Sequence, residues 1–305
     1  MEIWPIIGKM TVLVLLMLVG YGCAKLGLTS AAFNQKVTPV VMNVLLVATI
    51  LNSVISAETV ASGVVLVQYF GAFLAMFAIC MLFAWCGARL LRRSREDEGV
   101  LRLTMMFPHN AFVGFPVIAA VFGEQAVFYA AISNIPFNVL LYTIGTAQLR
   151  RTGKGGIAWK QIFTPPLIAT LVAGALYVTH IPVPHVIGET ISMLSGATIP
   201  MSMIIVGTSL GGIPARKAFG SLRVYAAAAV RLLVIPAAVW AVLRLFVTDS
   251  VMLGIPVLIA ACPTAMIITI LCITHGKDES LSSEIIFTST VLSAVTIPFL
   301  AWLLF

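Results

Sequence analysis

Apolar stretches of about 20 residues follow one another along this chain almost without pause, and that spacing limits the fold more than any single motif does. Bilayer hydrocarbon offers no water to backbone N–H and C=O groups, so segments of this kind must pair those groups internally, as helices. Ten are expected, near residues 5–27, 31–56, 60–88, 100–122, 124–149, 162–180, 185–211, 218–246, 251–274 and 278–305. The connections are short and leave no room for a soluble domain. Of 305 residues, 60% are hydrophobic and 10% charged, which fits an all-α polytopic membrane protein in a lipid bilayer and excludes ordinary soluble domains. Residues 1–27 have no basic residue before Lys9 and no small-residue cleavage pattern, so they read as the first span and not as a signal peptide.

A net charge of +7 would suit a nucleic-acid partner, but the placement of the charges excludes one. Lys25 and Lys36 fall between spans 1 and 2, and Arg89, Arg92, Arg93, Arg95 and Arg102 near the 3–4 turn. Arg150, Arg151, Lys154 and Lys160 follow at 5–6, Arg216, Lys217 and Arg223 at 7–8, and Lys277 at 9–10. Together they are 15 of the 18 basic residues, and all lie on one side of a ten-span arrangement. Glu2, Glu58, Glu124, Glu189 and Asp249 mark the other side. By the positive-inside rule the basic side is cytoplasmic, which places both termini outside the cytoplasm of a cell inner (plasma) membrane. The five cysteines have no CxxC spacing and read as small buried hydrophobes.

The chain repeats itself at one constant offset. Gly123 and Gly276 each close an interrupted apolar segment, 153 residues apart, and the same shift carries Asn110 onto Pro263 and Val47 onto Pro200. Five spans per half is an odd number, so the second half enters the membrane from the opposite side. The expected organisation is therefore a first five-helix repeat over 1–149, a cytoplasmic linker over 150–161 and a second, inverted five-helix repeat over 162–305. Inverted repeats with interrupted helices in matching positions point to a transporter's binding site.

The interruptions are FPHNAFVGFP at 107–116 and ACPTA at 261–265. Pro108, Pro116 and Pro263 each remove a backbone donor, and Gly114 permits close approach. Unwound backbone survives at membrane depth only where protein or a cavity receives it. If the two breaks meet, half-helix N-termini point into the site and favour an anion.

FPHNAFVGFPVIAAVFG (107–123), SGATIPMSMIIVGTSLGG (195–212) and the stretch from ACPTAMIITILCITHG (261–276) to Leu304 resemble the auxin efflux carrier family, which includes plant auxin exporters and bacterial malonate and malate carriers. The resemblance covers essentially the whole chain. It implies ten helices in two inverted repeats, with broken helices 4 and 9 crossing at the substrate site. It further implies elevator-like movement, a small organic anion as substrate and a homodimer. The chain departs from the family at three places. His109 stands where the family commonly has Asn, with Asn110 one residue later; Val47 replaces a common proline, and Ile267 a common polar residue.

Substrate-binding candidates are Pro108, His109, Asn110, Gly114, Pro116, Cys262, Pro263 and Thr264, with Asn43 and Ser202 from the helices passing the crossover. His109, with an ordinary pKa near 6.5, either changes charge across a proton gradient or is a packed histidine bonded to a freed carbonyl. Asn110 carries two donors and an acceptor suited to a carboxylate or hydroxyl. Arg231, midway along span 8, is a second coupling candidate; its alternative role is to pair with backbone carbonyls or face water. No Asp or Glu falls near the middle of a span, which argues against a sodium site or carboxylate relay. No catalytic motif, metal site or cofactor is expected: HExxH and paired mid-span carboxylates are absent, and His180 with His185 would lack further zinc ligands. Besides a carboxylate transporter, two other readings stand, a sodium-coupled carrier of amphipathic acids and a non-transporting membrane sensor on the same fold.

Overall fold

A computed structural model describes residues 3–57, 63–149, 159–179, 181–212, 221–277 and 279–304. The expected charges Glu2, Glu58, Arg150, Arg151, Lys154, Arg216 and Lys217, together with His180 and most of the 150–161 linker, lie outside the described residues. Among those described there is no strand, and every expected span falls on helix. In chain order these are α1 (Ile3–Lys25), α2 (Ala31–Ile55), α3 (Gly63–Leu91), α4 (Arg95–Met106), α5 (Asn110–Phe122) and α6 (Ala126–Leu149). They continue as α7 (Pro165–Thr179), α8 (His185–Gly212), α9 (Leu222–Leu243), α10 (Ser250–Ala261), α11 (Ile267–Thr274) and α12 (Glu279–Leu304). Seven of these helices are long and apolar enough to cross a membrane. The expected spans 4, 6 and 9 are occupied by shorter helices, spans 4 and 9 by a pair each. Leu15, Leu18, Val67, Leu82 and Met193 stand exposed on helix faces, as side chains that meet lipid and not water would.

Local sequence sets the ends and irregularities of these helices. Ser30, Ser94 and Asp249 cap α2, α4 and α10 by accepting the backbone N–H three residues on. Gly123 closes α5 at φ 92° and Gly276 follows α11 at φ 63°, conformations that a side chain would oppose. Four turns widen to the π form, at Val41–Leu45, Asn110–Gly114, Leu141–Gly145 and Val230–Val234. Two of them, at Asn110–Gly114 and Val230–Val234, end two residues before a proline (Pro116 or Pro236) whose missing N–H leaves the Phe112 or Leu232 carbonyl without its regular donor.

The chain divides into two units, each built from pieces of both sequence halves. The first comprises Met1–Phe70, Ala111–Asn134 and Phe163–Pro214. Its most extensive packing is α1 on α8, where Gly20, Gly207 and Gly211 let the backbones touch. Gly207 and Gly211 form the small-xxx-small spacing through which membrane helices pack, since apolar contact alone gains nothing in lipid. Polar bonds lock the register. Asn34 donates to the Ile205 carbonyl at 3.1 Å and to Ser209 at 2.8 Å, and Thr29 bonds Thr208 at 3.0 Å. Tyr69, Phe128, Tyr129 and Tyr177 form an aromatic cluster in the same unit.

The second unit comprises Gly71–Asn110, Ile135–Ile162 and Ala215–Phe305. Here α9, α10 and α12 pack on one another, and α9 and α12 also on α4, over a core that includes the ring cluster Phe77, Phe107 and Phe137. At the basic end, Glu98 lies between Arg92 and Arg102, Arg223 pairs with Asp97 at 2.8 Å, and Arg102 stacks over Trp85. The Arg92 hydrogen bond, more than the surrounding positive charge, holds the Glu98 carboxyl below the usual carboxylate range, although burial opposes this. A depressed folded pKa stabilises above the unfolded value and is lost as pH falls through the folded one. Glu98→Gln should therefore melt below wild type at pH 7, and the gap should close as pH drops below about 4, near the unfolded carboxylate pKa. Thermal unfolding in detergent at the two pH values checks it; an equal gap at both would sink it.

Candidate functional site

The two breaks are understood by following their backbone groups. Pro108 has no N–H, so the Thr104 carbonyl, four residues earlier, loses its helical donor; the Thr264 hydroxyl replaces it at 2.7 Å. The His109 N–H turns away from the helix and donates to the Pro263 carbonyl at 2.8 Å. That frees the Met105 carbonyl, which accepts from Arg231 Nη1 at 3.3 Å. In return the Ala265 N–H donates to the Phe107 carbonyl at 3.1 Å. The result is a short antiparallel pairing centred on Pro108 and Thr264, between stretches that turn extended at Phe107 and Cys262. On the α10 side, Pro263 leaves the Ile259 carbonyl without its usual donor, and the Cys262 N–H takes it at 3.2 Å. The Thr264 N–H donates to Ser289 Oγ on α12 at 3.2 Å. Unwound backbone thus persists in a buried, apolar region because each of these groups has found a named partner.

Six of the sequence candidates meet at this pairing: Pro108, His109, Asn110, Cys262, Pro263 and Thr264, all buried. Asn110 starts α5 on its wide turn. Arg231 joins them from the wide turn of α9, with an exposure of 0%. Its role as a partner of a backbone carbonyl, one of the two alternatives in the sequence, is the bond to Met105.

The remaining candidates belong to the first unit. Gly114 and Pro116 are buried in α5, and Asn43 stands exposed on the wide turn of α2. Ser202, two residues after Pro200 in α8, is fully buried with a hydroxyl that has no hydrogen-bond partner among the described residues. Pro116 also lines a cavity of about 60 Å³ with Thr49, Asn52, Glu124, Ser195 and Thr198. Thr49 donates to Thr198 at 2.7 Å and accepts from Ser195 at 3.4 Å along its wall. A water needs roughly 10–15 Å³ and polar partners, so this space is suited to a few waters.

Thr104, Met105 and Ser289 are site residues that reading the sequence missed. Thr104 was legible, since a helical proline always orphans the carbonyl four residues before it. Ser289 carried no such signal; it lies 25 residues from Thr264 in a different helix.

The chain matches the model of the family described as membrane transport protein over residues 5–158 and 154–301. It is 26% identical over 292 residues to an uncharacterised transporter of Methanothermobacter thermautotrophicus, covering 95% of each chain. It is 24% identical over 303 residues to an uncharacterised transporter of Methanocaldococcus jannaschii, covering 96% of this chain and 97% of that one.

Proposed function

The chain belongs to the membrane transport protein family, the auxin efflux carrier family it resembles in sequence, and from that premise we propose that it is a secondary transporter of small organic anions that binds them at the paired breaks. One observation carries the site: two interrupted helices placing His109, Asn110 and Thr264 together in buried, apolar surroundings. A helix that serves only to span a bilayer gains nothing from such an arrangement, whereas a carrier needs polar groups that exist only where substrate sits. The Asn110 amide and the start of α11 supply donors for a carboxylate. Among the described residues Glu98, at the basic end of α4, is the one buried carboxylate. That favours coupling through His109 or through substrate protonation over a sodium site.

In this reading the chain spans the inner membrane ten times as two inverted repeats with both termini outside the cytoplasm. Basic residues on one side of the spans, and the positive φ of Gly123 and Gly276 at matching positions, support it. It works as an elevator-type carrier and assembles as a homodimer, and it performs no catalysis.

Uptake of radiolabelled malonate, malate and an indole acid into proteoliposomes, with and without a pH gradient, tests the function. One acid should accumulate, and Asn110→Ala should cut its uptake on the order of tenfold while remaining folded, the loss of one to two substrate hydrogen bonds. Accumulation that Asn110→Ala leaves intact would move the site elsewhere. If no acid enters at all, the transport of small anions falls. Proton dependence that survives His109→Ala would remove the histidine from coupling.

A further inference from the structure

Arg231 has the largest fully buried side chain described, and it is a cation with no carboxylate partner among the described residues. None of the carboxylates in the described ion pairs is its partner; those pairs hold Arg92, Arg102, His185 and Arg223. Its polar neighbours are the Met105 carbonyl and the thiols of Cys80 and Cys262. Nη1 is used on Met105 and the Cys80 thiol lies within hydrogen-bonding reach of the guanidinium, while among the described residues no group meets Nε or Nη2, both buried, at hydrogen-bond geometry.

The pair left over is informative. Nε–H and the adjacent Nη2–H lie parallel along one edge of the planar guanidinium, at the spacing of the two oxygens of a carboxylate. A guanidinium kept only to cap the Met105 carbonyl needs one N–H and leaves a costly charge unneutralised. A guanidinium kept to receive a carboxylate needs that side edge empty when substrate is absent. Its place is also right: Met105 is three residues before Pro108, and Cys262 adjoins Pro263, so the charge sits next to the pairing of the two breaks. The wide turn of α9 at Val230–Val234 supports such a placement, because π-type turns recur where a side chain must be aimed out of register.

We propose that the Nε–Nη2 edge of Arg231 is the carboxylate-binding group of this protein and selects anionic over neutral substrates. This rests on the transport reading for its purpose but not for its test, which reads binding directly.

Purified protein in detergent is melted in the presence of sodium acetate, malonate or indole-3-acetate, with neutral malonamide and sodium chloride as controls. A ligand bound only to the folded state raises the melting temperature. At least one carboxylate should stabilise wild type, and malonamide and chloride should not. Arg231→Gln should abolish that shift. Arg231→Lys keeps the charge and a donor for Met105 but loses the parallel pair, and should weaken the apparent affinity on the order of tenfold. Uptake should fall in parallel. The lysine variant carries the test alone if the glutamine variant does not fold. Shifts in either variant equal to wild type, malonamide acting as well as malonate, or no carboxylate-dependent shift in wild type would each overturn the proposal. Uptake undiminished in the variants would overturn it and leave the transport reading standing. An Arg231-dependent shift without any uptake would do the reverse.

Discussion

Gly207→Ala should melt well below wild type, because alanine has no place to put its Cβ. That atom would fall inside the van der Waals surface of the Met17 carbonyl oxygen and 2.8 Å from the Tyr21 nitrogen, both backbone atoms of α1. Side chains can rotate away from an intruder, whereas a helix backbone can only be displaced as a unit. The same seam is closed at Gly20, where a Cβ would lie 2.8 Å from Ile204 Cα, and at Gly211, where it would meet Ala24 Cβ at 2.6 Å. With no hydrophobic drive between helices in lipid, close backbone approach is what holds α1 on α8. We expect a loss of about 3 kcal/mol, the upper end of ordinary overpacking. Gly196→Ala is the control on the same helix: nothing lies within 4 Å of its Cβ, so it should be neutral or slightly stabilising through helix propensity. Thermal unfolding in detergent compares them; a Gly207→Ala melting point within a degree or so of Gly196→Ala would refute the close-packing argument.

Thr264→Val is the second large effect expected. Valine has nearly the shape of threonine but no hydroxyl, so the Thr104 carbonyl, already deprived of a donor by Pro108, would be left buried and unpaired. An orphaned buried acceptor costs about 1–3 kcal/mol. The loss falls on the pairing itself, so uptake should drop with stability. Thr264→Ser retains the donor and should stay near wild type on both measures. Equal behaviour of the valine and serine variants in melting and uptake would mean that the hydroxyl does not hold the breaks together.

Both predictions separate what is local in this molecule from what is not. Helical runs and breaks could be read directly, since each follows from chemistry within a few residues. An apolar run in lipid must be helical, proline has no N–H to give, and glycine alone adopts the positive φ of Gly123 and Gly276 without strain. Orientation was not legible in the same way: Asn43, a pocket candidate by its position in a span, stands on an exposed face of α2. Which way a residue points depends on which helices pack beside it. The same holds for Ser202, whose burial came from α8 packing and not from its neighbour Pro200.

That backbone groups are stranded at 107–110 and 262–264 follows from the prolines alone, because the cause is covalent. What answers them comes from far along the chain: a hydroxyl 160 residues from Thr104, an arginine 126 residues from Met105, and backbone bonds from His109 to Pro263 and from Ala265 to Phe107. Proline fixes the vacancy, but a partner so far along the chain is chosen by which helices come to lie within 3 Å or so of it, and that is settled by packing.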